Sequence, residues 1–202
     1  MEVWIFRHGE TDWNVEKRLQ GKSDTDLNEN GINVAKKVHE VIKDIRFDFV
    51  FSSPLKRAVN TAKILTDGMD LEIVTDERLK EMSFGVNEGR YPEERVGHVE
   101  VFFENPGEYE PCEGGESIEE VNARTRSFIE EILVPLSESR SDSRVMISGH
   151  GAMNKSLAQT LCHKSKADFW EGTWQSNLYV AKFNINGSNY EMYEDFHSLI
   201  EE

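Results

Sequence analysis

A three-layer α/β/α sandwich around a mostly parallel sheet is the fold class this sequence predicts. Short apolar runs alternate with longer segments of helical period, which is the pattern of strands joined by crossover helices. Near the C-terminus, the runs 178–183 and 190–193 flank Asn186-Gly187, a type I′ turn signal, and predict a hairpin. The length of 202 residues, with 38% hydrophobic content, suits a single domain over 1–202.

Each element has a local reason. Residues 3–6 (VWIF) form the first strand. A helix begins near Asn28, with Val34, Val38, Val41, Ile42 and Ile45 on one face. Residues 49–52 are a second buried strand. Ser53 is then expected as N-cap and Pro54 as first helical residue of a helix that buries Leu55, Ala58, Val59, Ala62 and Leu65 and closes at Gly68. Residues 71–75 are a third strand. Ser117 and Glu120 form a capping box that opens a long helix, with Ile118, Val121, Ile129, Ile132, Leu133 and Leu136 inward. Residues 144–148 are a fourth strand, followed by a helix over about 153–162.

The chain carries 38 acidic and 23 basic residues, a net charge of −15. That potential repels phosphate backbones and anionic lipid, so neither nucleic acid nor membrane is an expected partner. The charge is concentrated: residues 72–120 hold 15 acids and 4 bases, whereas residues 1–71 hold 12 and 11. The acidic stretch also contains Phe84, Tyr91, Val101, Phe102, Phe103 and Tyr109, so it reads as a packed insertion and not as a disordered tail. No run approaches the length of a membrane span, and the start MEVWIFRHGET lacks the basic and apolar regions of a secretory signal, so a cytoplasmic chain is expected. Cys112 and Cys162 have no metal-ligand spacing and are expected to be reduced and non-functional.

The chemistry is expected at the strand ends, beyond whose carboxyl termini parallel sheets bind ligands. The first strand runs into Arg7-His8-Gly9 and the fourth into Gly149-His150-Gly151. Arg57 lies one helical turn beyond the second strand. Arg7, His8, Arg57 and His150 would thus converge, two fixed positive charges beside two titratable rings. An arginine fork matches phosphoryl oxygens, and a histidine can attack phosphorus or move a proton. A phosphoryl pocket follows. By contrast, His39, His98, His163 and His197 read as structural or solvated. Of the aromatics, Trp13, Phe103, Trp170 and Trp174 could contact substrate, although aromatics in such numbers are more often core or hairpin packing.

VWIFRHGETDWNVEKRLQGKSDTDLNENG (3–31) resembles the opening signature of the histidine phosphatase superfamily, in its phosphoglycerate mutase-like branch. The resemblance continues, in order, through SSPLKRAVNTA (52–62), LKEMSFGVNEG (79–89), EGGESIEEVNAR (113–124) and ISGHGAMN (147–154). It implies His8 as nucleophile; Arg7, Arg57 and His150 around the phosphoryl oxygens, with Asn14 as a neutral donor; and Glu81 as proton donor. Gln20, Gly21 and Gly151 are taken as substrate-binding, and residues 72–120 as an acidic cover that excludes polyanions, with Glu93, Glu94, Glu104, Glu108 and Glu110 among its charges. Gly9 is expected to let backbone approach the substrate.

The chain departs from the family pattern at Asn87, where many members have Trp, and at Ala152, where Gly is common. The resemblance also implies no metal and no cofactor. The acid block EMSFG and the short chain match the phosphatases better than the mutases. The expected function is a phosphomonoester hydrolase acting on a small phosphorylated metabolite, as a monomer or homodimer. Alternatives are a cofactor-dependent phosphoglycerate mutase and a non-catalytic phosphate-binding module.

Overall fold

The computed structural model describes residues 1–200. In chain order its elements are β1 (Glu2–Arg7), a single turn α1 (Asp12–Val15), α2 (Glu29–Ile42), β2 (Phe49–Ser52), α3 (Lys56–Leu65) and β3 (Ile73–Thr75). An irregular segment with the short α4 (Glu100–Glu104) follows, then α5 (Ile118–Phe128), α6 (Val134–Ser139), β4 (Arg144–Gly149), α7 (Gly151–Leu161), β5 (Val180–Asn186) and β6 (Asn189–His197). Among the described residues these strands form one six-stranded sheet, ordered β3-β2-β4-β1-β5-β6. β1 to β4 are mutually parallel where they pair, and β5 and β6 add an antiparallel edge.

The unbroken apolar run of β1 is explained by burial on both sides. Val3 and Ile5 pack with Phe128, Leu133 and Leu157, from the α5 to α7 side. Trp4 and Phe6 pack with Val38, Ile42, Ala62 and Leu65, from α2 and α3. A third cluster, around Phe84, Phe102, Tyr109 and Phe169, holds the acidic segment against the start of α7 through Ala152. The register pairs Arg7 with Gly149 across β1 and β4, which sets His8 and His150 side by side at the sheet's carboxyl edge.

Several local expectations need correction. α2 begins beside Asn28, as expected, and Asn28 caps it by accepting from the Gly31 N–H, but Val41 is 50% exposed and Ala35 takes its place inside. α3 begins at Lys56, two residues after Pro54, and its cap is Leu55. Ser53 is still held in the sheet, its N–H donating to the Ser148 carbonyl, so the chain cannot yet turn. The strand expected over 71–75 is reduced to Ile73–Thr75. The long helix opens on the Ser117/Glu120 capping box but is interrupted by a wider π-type turn over Ile129–Leu133. Pro135, just beyond it, has no N–H and would clash with a regular helical turn; one widened turn relieves both.

β5 and β6 do form a hairpin. Asn186 pairs with Asn189, however, so its two turn residues are Gly187 and Ser188. Gly187 has φ +56° and Ser188 does not have positive φ, which is the II′ pattern and not the I′ one. α7 starts at Gly151 instead of Met153 because its cap is supplied from elsewhere in the chain.

Candidate active site

That cap is Glu81. Its Oε1 accepts from the Met153 N–H (2.9 Å) and the Met82 N–H (2.9 Å), and its Oε2 accepts from the Ala152 N–H (3.2 Å). His150, the residue at the N-cap position, makes no side-chain cap. A carboxylate at a helix N-terminus is favoured by the free N–H groups there, and this one comes from 71 residues away.

His8 follows β1. Its main-chain N–H donates to the Gly149 carbonyl (2.9 Å), and its own carbonyl accepts from Asn177 Nδ2 (2.9 Å). Its Nδ1 lies 2.7 Å from the Gly9 carbonyl. A carbonyl can only accept, so Nδ1 carries the proton and Nε2 keeps its lone pair. Gly9 itself is small for another reason than expected: a Cβ there would meet the Gly31 carbonyl oxygen at 3.0 Å, so it lets the first loop pack on α2.

Arg57, on the first turn of α3, is buried. Nη1 donates to the Ser23 carbonyl and Nη2 to the Gly21 carbonyl, both at 2.7 Å, and Nε has no partner. Gly21 has φ +52°, and a Cβ on it would collide with Glu88 Oε1. Glu88 in turn gathers the N–H groups of Lys22, Ser23 and Phe84. Arg7 Nη1 donates to the Gln175 carbonyl, and its Nε is also unpartnered. Asn14 has its Oδ1 occupied by the Thr11 N–H, the Thr11 hydroxyl and Asn177 Nδ2, so its Nδ2 remains to donate. Gln20 Oε1 likewise accepts from Thr25, leaving its NH₂ free.

Arg7, His8, Asn14, Gln20, Gly21, Arg57, Glu81 and Gly151 all line one cavity. His150 stands behind, fully buried, its ring centroid 5.2 Å from that of His8 and both ring nitrogens without partners. Four of the buried polar atoms that have no partner among the described residues, Arg7 Nε, Arg57 Nε and the two His150 nitrogens, therefore cluster here. Buried donors left unpaired are costly, and two guanidinium groups among them call for an oxyanion. A wider depression, between Asp48 and the 139–144 loop, opens at the amino ends of the strands and holds none of this chemistry. Among the described residues, no three His, Cys, Asp or Glu side chains are grouped to hold a metal ion.

Burial, then the Arg57 and Arg7 charges, hold the His8 pKa well below 6.5 against the opposing Gly9 bond. Burial, Arg57 and His8 do the same for His150. Burial also lowers Arg57, to about 10, with Glu81 opposing, so it stays charged. Both imidazoles are thus neutral in the folded chain near pH 7. Below pH 6.5 the unfolded chain takes up two protons that the folded one refuses, so stability falls as pH falls. The slope is about 1.4 kcal/mol per pH unit for each group, or about 2.7 for the pair. Urea midpoints measured between pH 7.5 and 5 are expected to hold steady above pH 7 and drop below 6.5, with His150→Gln halving the slope. An unchanged wild-type midpoint down to pH 5 would remove the neutral-pair assignment.

Sequence reasoning missed the segment leading into β5. Gln175 holds Arg7, and its Oε1 accepts from Asn154 Nδ2 (3.0 Å). Asn177 holds both His8 and Asn14. Lys155 pins the same segment through the Glu171 and Thr173 carbonyls. Of the four aromatics that could contact substrate, Phe103, Trp170 and Trp174 stand in the cavity's outer wall with Phe84 and Phe102, and Trp13 does not reach it. The five glutamates expected to charge that wall are exposed and none lines the cavity. Asn87 is buried inside the cover, clamping the main chain of Val96.

The class of protein defined by this fold and site is a histidine-type phosphatase. Residues 3–194 match the profile of the histidine phosphatase superfamily, branch 1, and the chain belongs to that family. It is 32% identical over 200 residues to "Probable phosphoglycerate mutase GpmB" of Yersinia pestis (strain Pestoides F), covering 89% of this chain and 90% of that protein. The solved structure of a mycobacterial glucosyl-3-phosphoglycerate phosphatase has TM-score 0.84 at 26% identity, covering 96% of this chain and 97% of that one. A phosphoserine phosphatase mutant from Entamoeba histolytica, in complex with phosphoserine, has TM-score 0.80 at 28% identity, covering 98% and 96%.

Proposed function

We propose that the protein hydrolyses small phosphomonoesters through a phosphohistidine intermediate on His8, without a metal. The observation that carries this is the neutral His8 with Nε2 free, set among guanidinium and imidazole nitrogens that have no other partner among the described residues. Arg7, Arg57, Asn14 and His150 stabilise the charge on the phosphoryl oxygens, and His8 Nε2 attacks phosphorus as the bond to the leaving oxygen breaks. Glu81 relays the proton: its carboxylate takes one from the monoester bound as its monoanion and passes it on. Its Oε2 makes only one bond, at 3.2 Å, and faces Arg7 across Gly151, where a Cβ would lie 3.6 Å from that oxygen. The proton passes from Glu81 to the leaving oxygen. Glu81, now ionised, takes a proton from water as the water oxygen bonds to phosphorus and the N–P bond breaks, which releases inorganic phosphate.

The phosphatase structures with the same fold support hydrolysis. The mutase name of the 32% identical relative supports a second reading, a cofactor-dependent phosphoglycerate mutase. A mutase must also bind its substrate's carboxylate, and the wall facing the cradle is mainly aromatic, with Arg18 its one cation. The expected result with 3-phosphoglycerate in EDTA is phosphate release unaffected by a bisphosphoglycerate primer. Primer-dependent isomerisation faster than phosphate release would replace the hydrolase reading with the mutase one. Loss of phosphate release from every ester in EDTA, restored by a divalent cation, would end the metal-independent scheme.

A further inference from the structure

The outer half of the cavity is built for a flat apolar group. Phe84 and Phe103 are stacked at 6.5 Å and 23°, Phe103 and Trp170 at 5.7 Å and 22°, and Trp170 meets Trp174 at 5.2 Å and 34°. These four rings, in contact one with the next, line the cavity together with Leu19. Trp170 Nε1 donates to the Phe102 carbonyl (2.7 Å), so it offers the cavity no donor. Trp174 is 58% exposed at the mouth.

Its backbone is nevertheless fixed. Lys155 Nζ donates to the Glu171 and Thr173 carbonyls, and Asp195 Oδ2 accepts from the Thr173 N–H (2.8 Å). An indole on a fixed backbone at a cavity mouth, with Trp170 at 5.2 Å on one side, offers a ring a large apolar surface. The polar groups on this side are mostly engaged. Arg18 donates to the Gly89 carbonyl, pairs with Glu16 and lies over the Trp13 ring, and Gln20 spends its Oε1 on Thr25, which leaves its NH₂ as a donor. A polyhydroxylated leaving group would find few partners for its hydroxyls here.

We propose that the leaving group recognised by this protein carries a planar aromatic ring, which packs against the exposed Trp174 indole and the sides of Trp170 and Phe103 that line the cavity, while the phosphoryl group occupies the cradle. The inference rests on the phosphomonoesterase reading and specifies its substrate class as aryl and arylalkyl phosphates.

Comparing turnover of aryl and alkyl phosphates would confound recognition with leaving-group reactivity, so the probes are phosphonates, in which the P–C bond is not cleaved. 2-Phenylethylphosphonate is expected to inhibit with a Ki at least about tenfold below that of ethylphosphonate, the gain from burying one ring. Trp174→Ala is expected to reduce the ratio to about threefold or less, and Trp174→Phe, which keeps a ring, to preserve most of it. Equal Ki values in the wild type, or a ratio unchanged in Trp174→Ala, would overturn the proposal. Tighter binding of a hydroxylated phosphonate such as 2,3-dihydroxypropylphosphonate would overturn it in favour of polyol substrates. These results would leave the hydrolase intact, since phosphate release from any ester is scored separately. Absence of release from every ester, aryl esters included, would remove the hydrolase reading and this inference with it.

Discussion

His8→Ala is expected to lower hydrolysis of any phosphomonoester by at least about 10⁴-fold while leaving oxyanion binding in place. The imidazole provides the only bond between protein and phosphorus in the proposed cycle. The groups that bind the phosphoryl oxygens come from other elements and have their own supports: Arg57 is fixed by the Ser23 and Gly21 carbonyls and Arg7 by Gln175. Neither support passes through the His8 ring. Rapid quenching of the wild type with a ³²P-labelled ester should trap an acid-labile, alkali-stable phosphoryl group on the protein, and none in the variant. Vanadate should still raise the melting temperature of the variant, since ligand binding to the folded state alone stabilises it. A variant retaining more than about a tenth of wild-type activity would show that another group attacks phosphorus.

The parts of this site that can be read from sequence are those whose geometry is set locally. Arg7, His8 and His150 follow from the ends of two parallel strands, and Arg57 from one helical turn after a third. A strand's register and a helix's first turn are short-range facts. The buried glutamate is different. Nothing within ten residues of Glu81 says that it caps a helix 70 positions later, and only likeness to a known family singled it out from the fourteen other acids in its segment. The same holds for the corrected start of α7, since a helix with no capping side chain at its own N-terminus looks shorter in sequence than it is. Gln175 and Asn177 left no signal, being ordinary polar residues before a strand whose contacts are 168 and 169 positions away. The aromatic wall was visible as residues but not as a surface. Composition says that rings are present, and only packing decides which of them keep a face open to the cavity. Its charge shows the same limit: the excess over residues 72–120 is real, yet its carboxylates divide between solvent and internal ties such as those of Glu88 and Glu116.

Glu81→Gln separates proton transfer from capping, because the two roles use different atoms. A glutamine can still accept from the Met82 and Met153 N–H groups through its oxygen, so α7 keeps most of its cap. Its NH₂ would replace Oε2, which accepts from the Ala152 N–H at 3.2 Å, so one weak bond is lost. What disappears entirely is the transferable proton. For an alkyl phosphate, whose leaving alkoxide needs that proton, kcat is expected to fall by about 10²- to 10⁴-fold, or about 3–5 kcal/mol in barrier. For a nitrophenyl phosphate, whose leaving group departs unprotonated, phosphorylation of His8 should be nearly unimpaired, whereas hydrolysis of the phosphohistidine still lacks its base. The variant should therefore release one nitrophenolate per chain in a burst and then stall with phosphate on the protein. That pattern cannot come from a disturbed helix, which would slow binding and both steps for both substrates. If the two esters are slowed alike and no burst is seen, Glu81 is a structural cap and the proton donor must be sought elsewhere in the cavity.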